Sequence, residues 1–245
     1  MNKNVFNLPN LLTSLNLASG SCALLAIIIS EQYVGYFIAF SLLMDFLDGL
    51  VARALKIQSN IGKDLDSLAD VVSFGLVPSF MYIVILYNTV SDAQTNPLFF
   101  LKLIPALLIV VFSALRLAKF NNEARDSKYF YGLNTPTNAI FTFGIFAFMS
   151  HLSIEPQALQ AYYYGFVGLI VVQCLLLVSD FKMFSNKSLS KELKYIVSFA
   201  VIIGTAIGSY FLVGILALSV GVFAYVLSSI VVLNWIGKKS KNEIA

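Results

Sequence analysis

The chain has 245 residues, 58% of them apolar and 12% charged, with a net charge of +3. A soluble domain carries roughly 25% charged residues, so a water-soluble protein is excluded and an integral membrane protein is expected. No loop is long enough to fold alone, and nothing in the charge pattern calls for a nucleic-acid partner.

Apolar stretches near the ~20 residues that cross a bilayer recur along the chain. They lie at about 8–29, 34–55, 66–87, 98–118, 137–154, 161–179, 194–212 and 214–236, with only a short turn near Gly214 dividing the last two. The opening MNKNVFNLPNLLTS lacks the basic, apolar and small-residue succession of a cleaved signal, so span 1 reads as a retained helix. Asn10, Thr13 and Asn16 fall on one face of it. They suit either a nucleotide's base and ribose or polar contacts between helices.

Spans 2 and 3 carry the sharpest signal, the run MDFLDGLVARALKIQSNIGKDLDSLADVVSF over Met44–Phe74. An ionised Asp at a bilayer centre costs roughly 2.5–3.5 kcal/mol, yet Asp45, Asp48, Asp66 and Asp70 all lie in or beside these spans. Asp45 and Asp48 are three apart and Asp66 and Asp70 four apart, so on helices each pair shares a face. Antiparallel packing would converge four oxygen donors, a set suited to Mg²⁺ or Mn²⁺. The bland alternative is buried ion pairing with Arg53, Lys56 and Lys63. Three bases cannot neutralise five acids once Asp64 is included.

Arg116 ends span 4, followed by Lys119 and Arg125, and reads either as a phosphate or carboxylate ligand or as an interface charge. Pro78 and Pro105 fall inside spans and should kink them. His151, Tyr162, Tyr163, Tyr164 and Trp235 look like interfacial residues. Gly204 and Gly208 form a small-xxx-small pair suited to helix packing. Cys22 and Cys174 sit in apolar runs without disulfide or metal-ligand spacing. Fifteen of the sixteen Lys and Arg residues, all but Lys102, fall on one side of an eight-span arrangement. The positive-inside rule makes that side cytoplasmic. Both termini and the Asp-rich connection should therefore face the cytosol.

The motif Asp45-x2-Asp48-Gly49-x2-Ala52-Arg53-x8-Gly62-x3-Asp66-x3-Asp70 resembles the signature of the CDP-alcohol phosphotransferases. The resemblance implies a membrane enzyme with a six-helix catalytic core over 1–190, two additional spans and a basic tail over 191–245, and a tendency to form homodimers. It implies two divalent cations on Asp45, Asp48, Asp66 and Asp70, with Asp70 as proton acceptor. Asp48, Gly49, Ala52, Arg53 and Gly62, with Asn10 and Thr13, would bind the nucleotide and its diphosphate. The glycines allow close backbone approach, and Arg53 suits a phosphate or a carboxylate.

Three further segments, LPNLLTSLNLASG (Leu8–Gly20), DSLADVVSFGLVPS (Asp66–Ser79) and SALRLAKFN (Ser113–Asn121), resemble the phosphatidylserine synthase branch. A fourth, FYGLNTPTNA (Phe130–Ala139), is similar but has Asn134 where that branch has Pro. CDP-diacylglycerol and L-serine are the implied substrates, with Arg116, Lys119 and Arg125 as candidates for the acceptor or lipid phosphate. A prokaryotic cytoplasmic membrane is the implied setting. Two other readings stay open: the same chemistry with glycerol 3-phosphate or an inositol compound as acceptor, and a divalent-cation transporter.

Overall fold

A computed structural model describes residues 7–56, 60–90, 97–122, 130–152, 160–184, 205 and 207–236. The described chain is almost wholly helical. Helix α1 (Leu8–Ile29) starts at Asn7, whose side chain accepts from the Asn10 N–H at 2.9 Å. A 3₁₀ turn (Glu31–Tyr33) leads into α2 (Val34–Leu55), which stops where Lys56 takes a left-handed conformation, φ 54°. Helix α3 (Asn60–Asp70) continues through a π-helical segment (Val71–Leu76) into α4 (Val77–Thr89). Then follow α5 (Ile104–Asn122), α6 (Thr135–His151), α7 (Tyr163–Val178) and α8 (Ala217–Ser229), the last continuing as a π segment to Ile236.

Six described helices are long and apolar enough to cross a membrane: Leu8–Ile29, Glu31–Leu55, Ile61–Thr89, Phe99–Asn122, Gln160–Val178 and Ile207–Leu233. The span expected at 137–154 is α6, a 17-residue helix. The span expected at 194–212 falls mostly outside the described residues, as do Gly204 and the tail after 236. Gly214 has φ 56°, so a left-handed residue interrupts the chain where the dividing turn was expected. Gly208 has open space where a Cβ would stand, with no neighbour within 4 Å among the described residues.

The third span is the hub. Inside the molecule, 61% of its apolar window is buried, against 22–39% for the other five. Val77, Met81, Tyr82, Ile85 and Leu86 of α4 meet Ala23 and Ile27 of α1, Ile109 of α5, Phe146 of α6 and Ile170 of α7 in the main core. The outer surface is apolar instead of charged, with Ile28, Ile29 and Tyr164 largely exposed.

The two prolines expected to kink their spans sit differently in their helices. Pro105 is the second residue of α5, where a missing N–H costs nothing. Pro78 lies in the first turn of α4. It has no N–H to give to residue 74, and its ring crowds that carbonyl. The helix widens ahead of it, and Val77 N–H reaches Val72 O, five residues back.

Close approaches fix the bundle. A Cβ on Gly20 would fall 2.2 Å from Ser73 Oγ and 2.8 Å from Ser73 Cα, so α1 crosses the π segment with almost no space between. At one end, Phe130–Tyr131 pairs antiparallel with Lys182–Met183. Gly132 (φ 72°) and Leu133 donate to Phe181 O and Leu176 O, each at 2.9 Å, strapping this loop across the end of α7. Asn134, the departure from the expected Pro, is the N-cap of α6: its side chain accepts from Thr137 N–H at 2.9 Å.

Candidate active site

Helices α2 and α3 bring the carboxylates together as the i, i+3 and i, i+4 spacings foretold. Asp45, Asp48 and Asp66 each offer an oxygen, all within 4.8 Å of one another. Asp70 stands beside this trio, its carboxyl within hydrogen-bonding reach of Asp45. Asp64 lies on the exposed side of α3, apart from the cluster.

Helix α1 supplies the covering polar face. Thr13 Oγ1 donates to Asp48 Oδ2 at 2.6 Å, with Pro9 O a weaker alternative at 3.1 Å. Asn16 Nδ2 makes a long 3.5 Å contact with Asp70 Oδ1. The Asn16 carbonyl accepts from Ser41 Oγ on α2 at 3.2 Å and from Ser73 Oγ on the π segment at 3.1 Å. One residue of α1 thus ties both carboxylate-bearing elements together. Asn10 is buried one turn earlier on the same face.

The donor set fits a hard cation. All the convergent atoms are carboxylate oxygens, and Asp66 Oδ1 is buried without a hydrogen-bond partner. Such an atom costs free energy unless something absent from the protein chain binds it. Gly49 has room: an added Cβ would meet only the Arg53 guanidinium, at an ordinary 3.6 Å. Protein packing alone does not demand glycine there. Arg53 is exposed at the end of α2, with Ala52 half-buried beside it, and Gly62 is half-buried within α3. Lys63, a partner in the ion-pair alternative, donates instead to Asn121 O at 2.6 Å.

The three acceptor candidates separate. Arg116 is buried within Coulombic range of Asp70 and Asp45; its Nη1 donates to Thr135 Oγ1 at 3.2 Å, and its Cζ lies 5.8 Å from the Phe120 ring centre. Lys119 donates to Val178 O at 3.1 Å and pairs with Asp180 at 2.9 Å, tying α5 to the end of α7. Arg125 falls outside the described residues. Sequence reasoning left Ser113, Thr135 and Asn138 unassigned, although polar residues at i, i+3 spacing on apolar helices were the available signal.

A helical protein with membrane-length apolar helices and carboxylates gathered at one end of its central span belongs to a class equipped to hold a divalent cation beside the bilayer. The model of the CDP-alcohol phosphatidyltransferase family matches residues 6–179, and the chain belongs to that family. It is 32% identical over 180 residues to the CDP-diacylglycerol–serine O-phosphatidyltransferase of Methanocaldococcus jannaschii, covering 74% of this chain and 75% of that protein. It is 29% identical over 194 residues to the enzyme of the same name from Helicobacter pylori, covering 76% and 75%. An archaetidylserine synthase of Methanothermobacter thermautotrophicus is 36% identical over 151 residues, 60% of this chain and 61% of that one.

Proposed function

We propose that this protein transfers the phosphatidyl group of CDP-diacylglycerol to L-serine, giving phosphatidylserine and CMP. The observation that carries the reading is the convergence of Asp45, Asp48 and Asp66 beside Asp70 and Arg116, in a chain similar to enzymes whose names specify serine. Asp45, Asp48, Asp66 and Asp70 would hold two divalent cations, Mg²⁺ or Mn²⁺. When bound, such ions neutralise the donor's diphosphate and stabilise the departing oxygen.

The chain's own residues do the rest. Asp70 lies at the edge of the trio, held by Asn16, and takes the proton of the serine hydroxyl. The serine oxygen forms a bond to the phosphorus on the diacylglycerol side as the bond from that phosphorus to the CMP oxygen breaks. Thr13 orients Asp48, and Asn10, Gly49, Ala52, Arg53 and Gly62 receive the nucleotide and diphosphate. Arg116 binds the serine carboxylate or the lipid phosphate. Lys119, being tied to Asp180, shapes the rim.

The same reading has eight spans divided at Gly214, both termini and the site cytosolic, and a homodimer in a prokaryotic cytoplasmic membrane. The charge asymmetry of the loops supports the orientation.

The experiment is CMP release from CDP-diacylglycerol by purified protein with Mn²⁺ or Mg²⁺ and L-serine, glycerol 3-phosphate or inositol supplied singly. Release that needs serine and stops with chelator is the expected result. Release with another alcohol alone overturns the acceptor. No release with any acceptor, together with Mn²⁺ uptake into proteoliposomes, turns the reading to transport.

A further inference from the structure

Asn138 is the most unusual polar residue in the bundle. It is 0% exposed, and both atoms of its side-chain amide lack a hydrogen-bond partner. Ser113 Oγ and Arg116 Nε are likewise buried and unpartnered. Buried amides without partners are rare because each forfeits its hydration on folding.

The π segment packs against both helices that carry these orphans. Thr135 and Asn138 share a face of α6, and Ser113 and Arg116 share a face of α5, each pair spaced i, i+3. The Arg116–Thr135 hydrogen bond pins the two faces together at one level. One turn along each helix from that bond lie Ser113 and Asn138. The π segment closes the third side: a Cβ on Gly75 would lie 3.1 Å from Ser113 Cβ, and Gly75 is one wide turn beyond Asp70.

We propose that Asn138, Ser113 and Arg116 Nε form a subsite that holds the charged groups of an amino-acid acceptor, with Asn138 as its specificity-determining residue. An amide offers an acceptor and donors on adjacent atoms, matching an ammonium and a carboxylate on one carbon. Arg116 answers the carboxylate. A phosphate-bearing alcohol offers the Asn138 oxygen only a neutral hydroxyl in place of an ammonium, so the subsite favours the amino acid. This inference rests on the serine reading and deepens it.

The test uses the full chain in detergent micelles with CDP-diacylglycerol and Mn²⁺, measuring CMP release against L-serine, ethanolamine and 3-hydroxypropanoate. Losing a hydrogen bond to a charged group predicts a rise of about ten- to a hundredfold in KM for L-serine in Asn138→Leu. KM for CDP-diacylglycerol should stay within about twofold. Asn138→Gln should recover part of the loss, and the milder Ser113→Ala should show the same split if Asn138→Leu fails to fold. Wild type should discriminate against both truncated acceptors, and Asn138→Leu should discriminate less against 3-hydroxypropanoate, which lacks the ammonium. An Asn138→Leu protein that is more heat-stable with unchanged KM for serine overturns the inference, the orphan amide then being a structural or water-bound site, and leaves the serine reading standing. Parallel rises in both KM values overturn it too. Wild type that releases no CMP with serine removes the reading beneath it.

Discussion

Asp66→Asn is the most informative single change, because the charge cluster is costly in the protein unless a cation binds it. Charges 4.8 Å apart, the outer limit among the Asp45, Asp48 and Asp66 oxygens, repel by about 3.5 kcal/mol at an effective dielectric of about 20. Asp66 faces two such neighbours, so full ionisation carries about 7 kcal/mol of repulsion. Proton uptake, water and side-chain adjustment absorb most of this, and we expect about 2 kcal/mol to remain. In chelator, Asp66→Asn should therefore unfold at a higher temperature than wild type. Added Mn²⁺ should reverse the order: ion at a hundred times its Kd stabilises wild type by about 2.7 kcal/mol, while the variant, short of a ligand, gains little. Thermal unfolding in detergent with EDTA or Mn²⁺ reads both effects. A variant less stable than wild type in EDTA that responds equally to Mn²⁺ would refute the reasoning.

Asp70→Asn should abolish CMP release yet keep a Mn²⁺-induced rise in unfolding temperature, because the other three carboxylates already converge without it; retained turnover would remove Asp70 as proton acceptor. Thr13→Val deletes the 2.6 Å bond to Asp48 while keeping side-chain volume. A hydrogen bond to a charged group is worth about 1.5–3 kcal/mol, so kcat/KM should fall about ten- to a hundredfold, measured by CMP release. Gly20→Ala drives a methyl into Ser73, and lower thermal stability with reduced activity should follow. Ser73→Gly in the same chain should restore only part of it, since Ser73 Cα also obstructs.

The carboxylate site was legible because intramembrane charge is too expensive to be incidental, and because spacings of three and four on neighbouring helices leave the side chains one place to meet. Asn10, Thr13 and Asn16 were legible as a polar stripe, but not that Thr13 and Asn16 clasp Asp48 and Asp70. That depends on how closely α1 can approach, which Gly20 and Ser73 decide. Pro78 was read as a kink, and its accompaniment, the widened turn that precedes it, was not foreseen. Asn134 looked like a defect in a motif until its place at the head of α6 showed a cap. Asn138 was opaque for another reason: one Asn on an apolar helix has the same pattern whether or not its amide bonds a neighbour. Only its surroundings in the folded chain separate the two.

The wide turn at Val71–Leu76 has a consequence for how the central span is set. A π turn behaves as one residue slipped into an α-helix, rotating everything beyond it by about 100° relative to an unbroken helix. The span is therefore keyed twice, like a shaft with two flats cut at different angles. Its Asp66–Asp70 half is indexed to α1 and α2, and its Met81–Leu86 half to the apolar interior. Removing one residue between 71 and 76 would merge the two settings into one. Either the carboxylates or the core would then face the wrong neighbours, so this short stretch should tolerate substitution far better than any change in its length.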